Sequence, residues 1–142
     1  MPNTGYLLMN ISKKLKYRLN DALTELNITI QQWSVLQQLH RLSQSGAQIA
    51  ANDLAQRLDM DKPTISAIIK RLEAKKLVYK TKNSHDNRLF DLFLSETGAE
   101  IYTKAAVISN SVLNQFMAQL SETEKSQLNQ LLQKLDREEQ SS

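Results

Sequence analysis

The chain has 142 residues, 41% of them hydrophobic and none of them Cys, which suits one domain that buries its core unaided and excludes disulfides, thiolate metal sites, cysteine nucleophiles and thiol redox sensing. Its longest aliphatic runs, such as Tyr6-Leu7-Leu8-Met9, are too short to span a membrane, and no signal-peptide pattern opens the sequence, so a soluble, cytoplasmic protein is expected. The net charge is only +3, but eight Lys/Arg and just two acids lie between Lys62 and Arg88, and such a basic patch on a mildly acidic body points to a polyanionic partner.

A first helix is predicted from about Tyr6 to Leu26. Leu8, Ile11, Leu15, Leu19, Leu23 and Leu26 recur at helical spacing, and Lys13, Lys14, Lys16 and Arg18 fill the other face. A basic amphipathic helix can lie on a membrane or share its apolar stripe with a partner, and the second use is expected here. The next helix opens with Thr29 as N-cap, Gln32 completing a capping box and Ile28 stapling onto Trp33. It is expected to end near Leu42, with residues 43–48 a loop by composition. A short helix follows from about Asn52 to Leu58, and Asp59-Met60-Asp61 is a tight connection.

The stretch from Asp61 to Leu72 is the most informative. Asp61 can cap it, and Pro63 is tolerated in the first turn, where its missing donor is not needed. Ile68, Ile69 and Leu72 lie within about 60° of Ile65 on a helical wheel, and the four must face a core. Pro63, Ser66, Ala67, Lys70 and Ala74 fall opposite, with Thr64 and Arg71 on the flanks. A small-residue face edged by Lys and Arg lets a helix backbone approach a polyanion closely. Two short helices joined by a tight turn make a helix-turn-helix, although many such pairs bind nothing. Residues 77–82 and the alternating Phe90, Leu92 and Leu94 are predicted strands around the polar turn 83–88, a hairpin placed as a wing would be; it could equally serve only to cover the core. Ser95 caps a long helix running to about Leu120, with Ile101, Ala105, Ile108, Val112, Phe116 and Leu120 on one stripe. Ser121 and Glu124 form another capping box, opening a final helix with Leu128, Leu131, Leu132 and Leu135 before a polar tail. These terminal helices exceed what a small winged domain needs, so self-association is expected to bury their stripes.

In this order and spacing the motifs resemble the MarR family of bacterial winged-helix transcription regulators. The resemblance spans about Gly5 to Leu135. It rests on Thr29-x-x-Gln32-Trp33-x-Val35-Leu36, Leu54-Ala55, the run Asp61 to Ser66, Arg71-Leu72-Glu73, Leu77-Val78, Asp86-x-Arg88 and Leu94-Ser95-x-x-Gly98. It implies a mostly α fold with a small β-hairpin wing (α+β). The expected parts are an N-terminal dimerisation helix (5–28), a winged helix-turn-helix (29–95) and C-terminal dimerisation helices (96–139). It further implies a homodimer on double-stranded DNA, with the helix from Lys62 to Lys75 in the major groove and the wing in a minor groove. Arg88 matches the inserted wing arginine, and Asp86 the acid that orients it. Two positions depart from the family pattern: Lys76 stands where Gly usually precedes Leu-Val, and Ala67 where many members carry a basic residue.

The expected function is that of a ligand-responsive repressor on a pseudo-palindromic operator. Lys62, Lys70, Arg71, Lys80 and Lys82 would neutralise phosphate; Pro63, Thr64, Ser66, Ala67 and Lys70 would approach base edges; Arg88, held by Asp86, would enter the minor groove. By the resemblance, a small effector would bind between the dimer helices and the winged domain, with Tyr6, Tyr17, Trp33 and Tyr102 as candidate lining residues whose alternative is the core. A winged-helix module that binds protein instead of DNA is the alternative. No metal, cofactor or membrane partner is expected. An enzyme is disfavoured, because three glycines form no phosphate loop and His40 and His85 alone make no metal cluster.

Overall fold

A computed structural model describes residues 2–46 and 49–141, with only the helical backbone given for 138–141. The order is α1 (Thr4–Leu23), a 3-10 turn (Thr24–Leu26), α2 (Ile30–Ser45), α3 (Ala51–Arg57), α4 (Lys62–Ala74), β1 (Val78–Lys82), β2 (Phe90–Leu94), α5 (Glu96–Phe116) and α6 (Glu122–Ser141). The two strands pair antiparallel, Val78 opposite Leu94 and Lys82 opposite Phe90, and Ala50 adds a single bridge to Asp91. The fold is thus mostly α with one hairpin, a winged helix-turn-helix carried on long terminal helices.

The core lies where α2 meets α4, α5 and β2, with α3 packed on α4 and α1 along α5. Leu23, Val35, Leu36, Leu54, Ile65 and Leu72 are its most deeply buried side chains. Burying such residues completely contributes roughly 1.5–3 kcal/mol each before entropy is subtracted. The predicted stripe of α4 is the inward one: Ile65, Ile68, Ile69 and Leu72 are all buried. In α1 the stripe is used unevenly. Leu23 is buried and Leu15, Leu19 and Leu26 are half-buried, whereas Leu8 and Ile11 remain exposed.

The capping predictions hold. Thr29 Oγ1 accepts the Gln32 amide at 3.1 Å while Gln32 Oε1 accepts the Thr29 amide at 3.2 Å. Ser121 and Glu124 exchange the same pair of bonds at 3.2 and 2.9 Å, and Asp61 Oδ1 accepts the Thr64 amide at 2.7 Å.

Four boundaries differ from expectation. The α-helical part of α1 stops at Leu23 and tightens into the 3-10 turn before Asn27 reverses the chain at φ 57°. Helix α2 continues through Ser43, Gln44 and Ser45, read as loop, because Gly46 at φ 74° ends it and donates its amide to the Leu42 and Ser43 carbonyls; the rest of that predicted loop, Ala47 and Gln48, lies outside the described residues. Helix α5 ends at Phe116, not Leu120, since residues 117–120 must turn the chain before Ser121 caps α6. The polar stretch after Leu135, read as a tail, extends α6 to Ser141.

Candidate nucleic-acid interface

Helix α4 presents two faces with separate duties. Its aliphatic side closes the core, and Lys62, Pro63, Ser66, Ala67, Lys70 and Arg71 all lie exposed on the other, with Thr64 half-buried at the edge. The helix N-terminus is set by Asp61, whose carboxyl sits below its ordinary value because the Thr64 side chain and then the Thr64 amide bond to it.

The opposite end of α4 is held by consecutive residues. Lys76 has φ 62°, its amide donates to the Glu73 carbonyl at 2.9 Å and the Leu77 amide to the Leu72 carbonyl at 3.0 Å. This is a Schellman ending with Lys in the place that favours Gly, so a residue with a Cβ holds its backbone in the left-handed region. Just before it, Lys75 Nζ donates to the Asn27 carbonyl and, at 3.0 Å, to Oε1 of buried Gln32. Burial, followed by the charge of Arg71, lowers the Lys75 pKa. One of the eight basic residues in the patch is therefore committed to joining α4 to the elbow between α1 and α2.

The wing carries its arginine in a prepared geometry. Arg88 Nε and Nη2 donate to Asp86 Oδ1 and Oδ2 at 3.1 and 3.2 Å, and the Arg88 amide donates to Oδ1 at 3.0 Å. The guanidinium, then the amide, hold the Asp86 carboxyl below its ordinary value. The Arg88 side chain is 89% exposed all the same. On β1, Lys82 is exposed, while Lys80 pairs with Glu73 of α4 at 3.4 Å and lies over the Phe90 ring at 5.7 Å. Lys80 would have to trade Glu73 for a phosphate, a cheap exchange for a solvent-exposed pair.

The four aromatic residues considered for an effector pocket do not converge. Trp33 stacks on Tyr102 at 5.3 Å between ring centroids, and Tyr102 also stacks on His40 at 3.8 Å. Tyr6 and Tyr17 project from α1, 67% and 76% exposed. A cleft of about 450 Å³ lies elsewhere, lined by His40, Leu42 and Ser43 of α2, by Tyr79, Leu92, Phe93 and Leu94 of the hairpin, and by Ala99. Only a partial signal for it existed in the sequence: Tyr79 and Phe93, which face each other across the hairpin with rings 5.5 Å apart. Among the described residues there is no cluster of His, Asp or Glu able to hold a metal ion, and no helix is long and apolar enough to cross a membrane.

Comparison with known proteins places these features in context. A family profile described as "MarR family" matches residues 26–89, from the α1–α2 elbow to the wing. The HTH-type transcriptional regulator SarZ of Staphylococcus epidermidis is 28% identical over 119 residues, 84% of this chain and 78% of that protein. Among solved structures, S. aureus MepR in complex with DNA superimposes with a TM-score of 0.82 at 28% identity, covering 97% of this chain and 99% of that one. The apo form of E. coli MarR gives a TM-score of 0.81 at 26% identity, covering 95% and 96%.

Proposed function

Because the chain belongs to the MarR family of winged-helix transcription regulators, we propose that it is a homodimeric, sequence-specific DNA-binding regulator that represses by occupying a pseudo-palindromic operator and is released by a small ligand. The observation that carries the DNA-binding part is the pairing of two exposed elements. One is the small, basic face of α4, the other the neighbouring wing whose Arg88 is held by Asp86 through two side-chain bonds. The similar MepR was solved as a DNA complex, which supports the same partner here.

In this reading α4 enters the major groove. Pro63, Ser66 and Ala67 allow its backbone to approach, Thr64 and Lys70 reach base edges, and Lys62, Arg71, Lys80 and Lys82 neutralise phosphates. Arg88 enters the adjacent minor groove, where narrow A·T-rich segments concentrate negative potential. Two-fold symmetry brings two such units to half-sites about one helical turn apart. The exposed apolar residues of the terminal helices, Leu7, Leu8, Met9 and Ile11 of α1 and Leu131, Leu132 and Leu135 of α6, form a contiguous-sequence source of dimer contacts. The cleft beside His40 and Tyr79 supports the ligand response, because a molecule seated there touches α2, the hairpin and α5 together.

Selection of bound duplexes from a random pool, followed by titration of the enriched site, tests the reading. A palindromic consensus is expected, with log K falling by about 0.9 per phosphate contact against log salt. Arg88→Ala should weaken binding by about 1–3 kcal/mol with dimerisation unchanged. Absence of any enriched duplex, or a flat salt dependence, overturns the DNA-binding function; unchanged affinity in Arg88→Ala overturns the minor-groove role.

A further inference from the structure

Arg88 is the most exposed member of its own ion pair, and an ion pair in water holds a long side chain only weakly. Yet the turn beneath it is bonded throughout. The buried Asp91 carboxylate, on the second residue of β2, accepts Asn83 Nδ2–H at 3.0 Å through Oδ1. Asn83 Oδ1 in turn accepts the amides of His85 and Asp86 at 2.8 and 3.0 Å. The Asn83 amide donates to the Leu89 carbonyl at 3.0 Å and the Leu89 amide to the Asp86 carbonyl at 3.0 Å. Asp86 then holds Arg88. One continuous chain of bonds runs from the sheet interior to the exposed guanidinium.

Asp91 is the only buried acidic side chain among the described residues. A carboxylate is expensive to bury and is retained only where hydrogen bonds compensate it. Its neighbours in the strand, Phe90, Leu92, Phe93 and Leu94, are apolar, and an apolar residue would satisfy the sheet as well. What an apolar residue cannot do is orient Asn83. The Asn83 carboxamide is used at both ends, so turning it over would break three bonds at once.

Resting on the DNA-binding reading above, we propose that Asn83 and Asp91 are positioning residues that preset the wing arginine for the minor groove. They touch no DNA. Their effect is to fix the Asp86 carboxylate before DNA arrives, so that less of Arg88's freedom is lost on binding.

The test compares Asn83→Ala, Asn83→Ser (which keeps an oxygen to cap the turn but loses the amide that reaches Asp91), Asp91→Leu and Asp91→Asn (which keeps an acceptor oxygen). Each is made in the full chain, alone and with Arg88→Ala, and titrated against the duplex selected from the random pool. Asn83→Ala and Asp91→Leu should weaken binding about three- to tenfold, Asn83→Ser less, and Asp91→Asn least. These losses should vanish in the Arg88→Ala background, and the salt slope should stay unchanged. In the free protein, the heteronuclear NOE of the Arg88 Nε–H should fall in Asn83→Ala and Asn83→Ser, a readout that needs no DNA. Losses that persist without Arg88, or an Arg88 Nε–H equally mobile in wild type and variants, overturn the proposal. Should wild type bind and Arg88→Ala weaken it while both Asn83 variants bind normally, this proposal alone falls. Failure of wild type to bind any duplex overturns it together with the reading on which it rests.

Discussion

Lys76 shows how a single backbone angle can be held against side-chain preference. At φ 62° a residue with a Cβ costs about 1–2 kcal/mol relative to Gly, part of which Gly forfeits through its greater freedom in the unfolded chain. Lys76→Gly should therefore raise stability by about 0.5–1 kcal/mol, seen as a higher denaturant midpoint with an unchanged m-value; a lower midpoint would show that the Lys76 side chain makes a contribution of its own. Three carboxylates also carry a pH signature. Asp61, Asp86 and Glu124 are each held below their ordinary values of 3.8, 3.8 and 4.5 by bonds from Thr64, Arg88 and Ser121. Because the folded values are depressed, the stabilisation is complete above the ordinary values and is lost as pH falls through the folded ones. Stability should accordingly drop below about pH 4, and Asp61→Asn should flatten part of that drop in acid melts. The caps were legible because Thr29 and Ser121, followed three residues later by Gln32 and Glu124, and Asp61, placed just before Pro63 in the first turn, have a local geometry of their own. The commitments of Lys75 and Asp91 were not, because each depends on partners brought near by folding: Asn27 and Gln32 for the first, Asn83 for the second.

Between elements, a close junction joins the α4–β1 turn to α5. Ser95 Oγ donates to the Lys76 carbonyl at 2.7 Å and accepts the Gly98 amide at 2.9 Å, while the Ser95 amide donates to the Leu77 carbonyl at 3.0 Å. Gly98 is needed for that approach, since a Cβ built on it would overlap the Leu77 carbonyl. Gly98→Ala should destabilise the fold by about 1–3 kcal/mol, measured by thermal or denaturant melts; an unchanged melt would mean that α5 can slide away from the turn at no cost. The pattern Leu94-Ser95-x-x-Gly98 was visible in the sequence as a helix start and as part of the family resemblance, but the approach of Gly98 to the Leu77 carbonyl was not. Helix periodicity located all six long or short helices, whereas their ends were less legible. Ser43, Gln44 and Ser45 have loop-like composition, yet they satisfy their backbone groups more cheaply by prolonging α2 to Gly46 than by leaving it earlier.

Across the molecule, burial is graded. The core is closed around α2, α4 and the hairpin, while α1 loses its cover toward its N-terminal end and α6 carries Leu131, Leu132 and Leu135 in the open. A second copy of the chain is the occupant this arrangement favours under the proposed function. Replacing both Leu131 and Leu135 by Glu should shift sedimentation from dimer to monomer and lower affinity for a two-half-site operator at least tenfold, with each half-site then bound independently. A dimer that survives both substitutions would place the interface on other helices. The same gradation explains why the terminal helices looked surplus in the sequence: their apolar periodicity was evident, but which half of α1 is covered within one chain depends on where α5 passes.

The division of labour on α4 has a further consequence. Ile65, Ile68, Ile69 and Leu72 tie it to the core and Lys75 and Lys76 tie down its end, so its exposed residues Pro63, Ser66, Ala67 and Lys70 bear little of the folding free energy. Substitutions at such surface positions usually stay within about 0.5 kcal/mol. Mutation can therefore rewrite the outward face while the chain remains folded throughout, and new binding preferences can be explored by descent without crossing a valley of unstable intermediates.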